Sequence, residues 1–581
     1  MKRYIFQYLA VVLLILGTTS CSDFLTQENQ NQILVENFWT NLDDCEKGLV
    51  AVYNQLRDQN LIKLDMNTLR SDLAYPGFGR PSPNNINKLY YFQNFTSTDV
   101  GPNQQWAHLY TGIFRANQVI QGLEGIKGDM ESDNDLARWH TQMAEAKFFR
   151  GLFYFYLNSL FNNGKVVLID YVPYVREDFY GPLSSSSEVI KFFREDLNYA
   201  LEFLPEIPRE QGRVCQATAA SVLGKSYLYL NDHETAAQYF KAVIDSELYT
   251  LADVSENFTT KGEFNSESIF EISYDNNFKT EETGNKGTRN SYNMMFSSGN
   301  TGGYRAVLPS MWLTVAFRKD TLDPNDPRNM VTYMDEDGET QQRLRLFSLR
   351  ASNSLAMIDD PDMPFYGEER AAYRTNFGNK EFAYFRKYTN WDQLTTEAEQ
   401  NNFSGINVRM IRLADIYLMY AECLLQKGDV TGALKYINRV RHRSALLLLG
   451  DQPSEEFPDA TIDEVSYTAD MLMKHLQEVE RPLELALDGM AIRLMDLKRW
   501  GIMKERFIEL AARPYHYDKY TYTDEKGEEV TRWGCVVVEG AHPDDPTQNF
   551  YDFQEAASNY REQVHSYWPL PSSEVTTNPY L

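Results

Sequence analysis

Between Ala219 and Ile244, the residues Leu223, Gly224, Tyr227, Ala236 and Phe240 stand at the spacing of a tetratricopeptide repeat. That spacing is packing chemistry. Gly224 and Ala236 are small where two helices cross closely, and Leu223, Tyr227 and Phe240 fill the gap between them. A looser copy follows at Tyr420, Ala421, Leu424, Ala433, Ile437 and Val440, with Gly428 and Asp429 at its turn. One such pair cannot bury its own faces, so several must stack. The rest of the chain supplies candidates. From Thr40 the pattern is helical: Thr40 and Asp43 fit a capping box, and Leu42, Cys45, Leu49, Val52, Tyr53 and Leu56 recur at the helical period. A second helix is expected from Trp106, with Leu109, Tyr110, Ile113, Asn117 and Ile120 on one face, and a third from about Leu136 to Leu160, rich in Phe and Tyr. Two aromatic helix pairs, near residues 106 to 160 and 190 to 204, would complete the stack. The expected fold class is mainly α, a tetratricopeptide-like helical-repeat scaffold with long loop-rich insertions and a few short strands.

The insertions are visible as changes of texture. Residues 72 to 105 hold Tyr75, Pro76, Gly77, Gly79, Pro81, Pro83 and a run of Asn, and 275 to 405 is rich in Gly, Asn, Asp, Pro and aromatics. Ile269, Glu271 and Ser273 alternate with Phe270 and Ile272, one strand candidate. Loops this long in a compact protein are usually functional. The expected organisation is one body over 36–581: a scaffold over about 36–250 and 406–510, a ligand-binding insertion over about 265–405, and a C-terminal segment over 511–581.

Ahead of that body, Lys2 and Arg3 precede an unbroken apolar run from Leu9 to Leu16, then Gly17, Thr18, Thr19, Ser20 and Cys21. Residues 1–20 read as a signal peptide, cut before a cysteine that takes lipid, with 21–35 as a tether. Several acyl chains, at about 0.8 kcal/mol per buried methylene, make a lasting anchor at Cys21. No later stretch approaches the ~20 apolar residues that a membrane-spanning helix needs.

Charge and motifs narrow the function. With 56 basic and 82 acidic residues the formal net charge is −26, which argues against nucleic acid as a ligand. There is no HExxH, GxSxG, Walker loop or complete GxGxxG, and the eight histidines lack ligand spacing, so no enzyme chemistry and no cofactor is expected. Cys45, Cys215, Cys423 and Cys535 are scattered without a CxxC pair; two disulfides are open to them in an oxidising compartment, but Cys45 and Cys423 lie on helical patterns and read as buried free thiols. Asp323, Asn325, Asp326 and Asp335 to Asp337 invite a structural calcium ion, but turn chemistry beside Pro324 and Pro327 explains them equally well.

Taken in order along the chain, these pieces resemble the SusD/RagB family of nutrient-binding outer-membrane lipoproteins. The resemblance is carried by CSDFL at Cys21 to Leu25, NFW at Asn37 to Trp39, Trp106 with Leu109, Tyr110, Ala116 and Asn117, and Ala144 to Arg150. It continues through Gly212 and Arg213, DPR at Asp326 to Arg328, RKY at Arg386 to Tyr388 and IRLADIYLMYAE at Ile411 to Glu422. It ends with Glu480 to Gly489, DLKRWG at Asp496 to Gly501, and WPLP at Trp568 to Pro571 with Glu574, Asn578 and Pro579. It implies a non-catalytic glycan receptor on the outer membrane, facing the exterior as a lid on a TonB-dependent (SusC-like) transporter; some relatives take oligopeptides. Two departures are FNNGKVV at Phe161 to Val167, and Ser22, Asp23 and Phe24, less acidic than the usual export signal.

Sugar recognition needs flat apolar faces for ring C–H groups and fixed polar groups for hydroxyls. The resemblance places the site on the loop before Trp106 and on the later insertion. That nominates Tyr75, Phe78, Arg80, Asn84, Asn85, Tyr90, Asn103 and Gln104, together with Tyr292, Phe296, Tyr304, Tyr366 and Trp391. Tyr90 and Tyr91 are adjacent, so in a strand only one faces a ligand. Trp106 and Trp312 fall on helical patterns and read as core, as do Trp39, Trp500 and Trp568 in their motifs. Competing readings are oligopeptide capture, which the acidic balance suits for basic peptides, a protein-interaction scaffold, and a glycoside hydrolase, which the resemblance disfavours.

Overall fold

The structure, a computed structural model, describes residues 38–581 apart from 78, 81, 84–86, 260, 276–288, 336, 379 and 393–402. Eight principal helices form the scaffold: α1 (Leu42–Leu56), α2 (Val100–Ile126), α3 (Asp133–Leu160), α4 (Ser186–Phe203), α5 (Gln216–Leu228), α6 (His233–Asp245), α7 (Leu413–Gln426) and α8 (Val430–Arg443). Each packs against the next, and α6 packs against α7 although 167 residues separate them in sequence (413 minus 245, less one). The stack is continuous, and the insertion is spliced between two of its neighbours. The stretch around 190 to 204 is one helix, α4, laid on α3 rather than a pair of its own.

The repeat spacing does what its chemistry requires. A methyl added at Gly224 would stand 2.5 Å from the Phe240 ring, so only glycine lets α5 and α6 cross this closely. Gly112 lies under Phe153 in the same way where α2 meets α3. The first helix starts one residue later than its capping box suggested. Asn41 is the cap, its Oδ1 accepting from the amides of Asp43 (2.9 Å) and Asp44 (3.0 Å), while Thr40 donates to the Asp44 carboxylate (2.6 Å). An amide oxygen reaching two free amides satisfies more of the helix end than a hydroxyl can.

Among the described residues, ten strands form five antiparallel pairs. β2 (Ser268–Ile272) pairs with β8 (Val408–Arg412) and closes the base of the insertion. β1 (Ala74–Pro76) pairs with β3 (Val307–Pro309), tying the first loop to the insertion. Also paired are β4 (Met330–Met334) with β5 (Thr340–Leu344), and β6 (Leu355–Met357) with β7 (Ala383–Phe385). The C-terminal segment carries the longest pair, β9 (Tyr515–Thr523) and β10 (Glu529–Glu539), with a bulge between Arg532 and Val536.

The motifs shared along the chain turn out to be buried ion pairs. Asp415 lies 2.8 Å from Lys225 of α5 and 3.0 Å from Arg481. Glu422 pairs with Arg499 (2.5 Å) and accepts from the Trp500 indole (2.9 Å). At the base of the insertion Arg412 meets Glu267 (2.7 Å), Glu484 (2.6 Å) and Asp488 (2.6 Å), and Lys387 joins Asp488 (2.9 Å). Cys45, Cys215, Cys423 and Cys535 are buried free thiols, and burial pushes those of Cys45 and Cys423 up to about 12. Among the described residues no helix is long and apolar enough to cross a membrane.

Candidate functional site

The β1–β3 pair brings together the two loop systems nominated from sequence. Beyond the strands, the Gly77 amide donates to the Ala306 carbonyl (2.9 Å). Arg305 pairs with Glu381 (2.8 Å), the Lys380 amide donates to the Gly534 carbonyl (2.9 Å), and the Lys380 ammonium donates to the Arg80 carbonyl (3.1 Å). Gly77, Arg80, residues 304–306, Lys380, Glu381 and residues 533–534 therefore share one edge of the molecule.

Many nominated side chains hold this edge together instead of facing out from it. Tyr75 is buried, with the Arg80 guanidinium 4.0 Å above its ring and Tyr91 against its edge. Arg80 is itself buried; it donates to the Pro309 carbonyl (3.0 Å), faces Asp552 at 3.6 Å and covers Phe382. Tyr90 and Tyr91 lie on a short helix, Lys88–Tyr91, not a strand, and both are buried, Tyr90 against Trp568. Tyr292 and Phe296 stack on each other inside the core. Tyr366 is buried, its hydroxyl donating to Asn293 Oδ1 (2.5 Å). For Tyr75, Arg80, Tyr90, Tyr292, Phe296 and Tyr366 the expectation of ligand contact gives way to a structural role, because long loops with no regular ladder must bury their own aromatics to stay ordered. Phe78, Asn84 and Asn85 lie outside the described residues.

The remaining candidates are reachable. Asn103 and Gln104 are half-buried in the first turn of α2, where Gln104 Oε1 accepts from Lys63 (2.7 Å). Burial pushes the Lys63 ammonium down and the neighbouring Asp65 carboxyl up. Trp391 is half-buried with the Arg386 guanidinium 3.8 Å from its ring, and its carbonyl accepts from the Tyr366 amide (2.7 Å). Tyr304 is open, 66% exposed, on a backbone fixed by its amide donating to the Met294 carbonyl (2.7 Å).

One residue on this edge was not nominated. Trp533, 69% exposed, stands on the β9–β10 ribbon next to Gly534, with the Lys519 ammonium 5.2 Å from its ring centroid. Tyr304 and Trp533 offer flat faces, and the Lys519 ammonium beside Trp533 offers a polar group. That combination can hold sugar rings by stacking and orient their hydroxyls.

The acidic stretch considered for calcium is committed to turns and cross-links. Asp323 accepts from Thr461 Oγ1 (2.6 Å), the Thr461 amide (2.8 Å) and the Asn325 amide (2.9 Å). Asp326 caps the turn at Arg328, and Asp335 accepts from the amides of Asp337 and Glu339. Among the described residues no three His, Cys, Asp or Glu side chains gather as a metal site.

Known proteins share this architecture. The sequence model of the SusD family matches residues 266–581, and a second model, described as starch-binding associating with outer membrane, matches residues 23–228. A SusD-like protein of Bacteroides ovatus is 26% identical over 608 residues, covering 98% of this chain and 96% of the relative. The crystal structure of a SusD-like carbohydrate-binding protein of Bacteroides fragilis superposes with a TM-score of 0.64 at 21% identity, over 94% of this chain and 99% of that one. A structure described as a laminarin-binding SusD-like protein gives a TM-score of 0.61 at 22% identity, over 93% and 100% of the two chains.

Proposed function

The chain belongs to the SusD family, and from that premise we propose that it is a cell-surface glycan receptor, anchored in the outer membrane through lipid on Cys21, that captures oligosaccharides and passes them to a TonB-dependent transporter. The observation that carries the reading is the pair of open rings, Tyr304 and Trp533, carried by segments that the Arg305–Glu381 pair and the Lys380–Gly534 hydrogen bond tie together. Open aromatic faces are the surfaces on which sugar rings stack. The carbohydrate and laminarin binding named for two structural relatives points to the same ligand class. In this reading the chain does no chemistry on what it holds.

The test is calorimetric titration of the full-length chain in detergent against plant, host and microbial oligosaccharides. Binding by at least one glycan is expected, and Tyr304→Ala and Trp533→Ala should each weaken it by about 1 kcal/mol or more. Heat with a peptide mixture and none with any glycan would overturn the reading in favour of peptide capture. The transporter half is tested separately, by co-purification of the tagged chain with a β-barrel transporter from the native membrane.

A further inference from the structure

A second groove lies on the scaffold, lined by none of the residues named for the candidate site above. It runs between α2 and the segment 169–180, has a volume of about 570 Å³, and is lined on the helix side by Asn117, Gln121 and Glu124 and on the other by Asp170, Tyr171 and Tyr174. That volume is ordinary for a small-molecule site. Resting on the glycan reading above, we propose that this groove is a second carbohydrate site, for a short stretch of neutral pyranose chain.

The first support is the way the tyrosines are presented. A surface tyrosine usually buries its ring and leaves its hydroxyl wet. Here the ring is open and the hydroxyl is tied to the protein. Tyr174 is 73% exposed while its hydroxyl accepts from Gln121 Nε2 (3.1 Å), and Tyr171 is 48% exposed while its hydroxyl donates to the Asp178 carbonyl (2.8 Å). Both rings are tied at the tip and bare on the face. A bare, immobilised ring loses little entropy when a sugar stacks on it.

The second support is the rigidity underneath. Asn117 Nδ2 donates to the carbonyls of Ile169 and Tyr171, both at 2.9 Å, and Asn117 Oδ1 accepts from Arg150 (3.0 Å). Arg150 in turn is held by two bonds to Asp196 (2.7 and 2.8 Å). A buried relay from α4 through α3 and α2 thus fixes the loop that carries the rings. Scattered exposed aromatics need no explanation, but two tied at the hydroxyl on one groove do.

The polar groups decide the sugar class. Among the described residues, the Glu124 and Asp170 side chains make no hydrogen bond or ion pair, so both are free to accept from hydroxyls. The nearby cations, Lys147 and Arg150, are already paired with Asp196. The groove therefore carries surplus negative charge. It would repel uronate or sulfated chains and accept neutral ones. Two sites on one receptor would also hold a long chain more tightly than either alone.

The experiment is calorimetry of the full-length chain in detergent with maltohexaose, cellohexaose, xylohexaose and laminarihexaose, comparing wild type with Y171A/Y174A, Glu124→Gln/Asp170→Asn, and Tyr304→Ala/Trp533→Ala. The expected result is two molecules of one neutral hexasaccharide per chain, falling to one in either groove variant, with the groove event surviving in the Tyr304→Ala/Trp533→Ala variant. All substituted positions are exposed or unpaired, and unchanged thermal melting confirms folding. Binding by wild type that neither groove variant alters would overturn this inference and leave the function above standing. No binding of any of these hexasaccharides by wild type would overturn this inference, while the wider oligosaccharide and peptide panel above decides the function.

Discussion

Glu263 is half-buried beside Glu271, and burial, followed by that like charge, raises its carboxyl to about 7 although the Asn407 amide donates to it at 3.0 Å. A carboxyl whose folded pKa lies above its unfolded value favours folding when protonated, and that contribution is lost as pH rises through 7. Glu263→Gln keeps the neutral form at every pH. Its stability should match wild type at pH 4, below the unfolded value of about 4.3, and exceed it at pH 8 by on the order of 1–3 kcal/mol; equal curves at pH 8 would show that the charge is solvated after all. The same single-residue dependence on surroundings limits what could be read of the site. The sequence picks out loop aromatics but not which of them the loops consume, so Tyr75 and Tyr292 were as good candidates as Tyr304. Trp533 escaped for a sharper reason. Strict alternation along β10 puts it on the face of the buried Cys535 and Val537, and only the bulge, with Gly534 at φ +62°, turns the indole outward. Nothing in the period-two pattern announces that step.

At the scale of elements, periodic spacing carries far more. The helices of the stack are specified by contacts three and four residues apart, so α1, α2, α3 and both repeat pairs were legible, along with the strand at Ser268–Ile272. The β9–β10 ribbon was not, because its outward residues are polar or aromatic and its turn is charged, so no strict apolar alternation marks it. The α5–α6 crossing gives a direct test of the repeat chemistry. Gly224→Ala adds a good helix former, worth about 1 kcal/mol in an open helix. Its new methyl would sit 2.5 Å from the buried Phe240 ring, however, and overpacking of that kind costs about 1–3 kcal/mol. The variant should therefore melt lower than wild type, and Phe240→Leu in the Gly224→Ala background should recover part of the loss. Simple additivity of the two substitutions would mean that the ring does not set the crossing distance.

Across the whole molecule, the packing of α6 on α7 makes the insertion a guest inside a continuous stack, and buried ions join the parts. Asp415 is the hub: from α7 it meets Lys225 on α5 and Arg481 ahead of the DLKRWG helix, and these cations hold its carboxyl down at about 2 despite complete burial. Removing one member of such a cluster leaves the others charged and unmatched, which costs about 3–5 kcal/mol. Asp415→Asn should lower stability by that order at pH 7. Because the folded pKa is depressed, the carboxylate stabilises the fold above its unfolded pKa of about 3.9 and ceases to do so as pH falls toward 2. The stability difference between wild type and Asp415→Asn should therefore hold steady from pH 7 to about 5 and shrink between about 4 and 2, read by urea unfolding at each pH. Other acids complicate the absolute profile: burial raises Asp65, Asp360 and Asp552, which act in the opposite sense. They are common to both proteins and drop out of the difference. A gap that stayed constant to pH 2 would show that the hub is held by packing rather than by its charge, and the link between stack and C-terminal helices would have to be sought in the apolar contacts around α7.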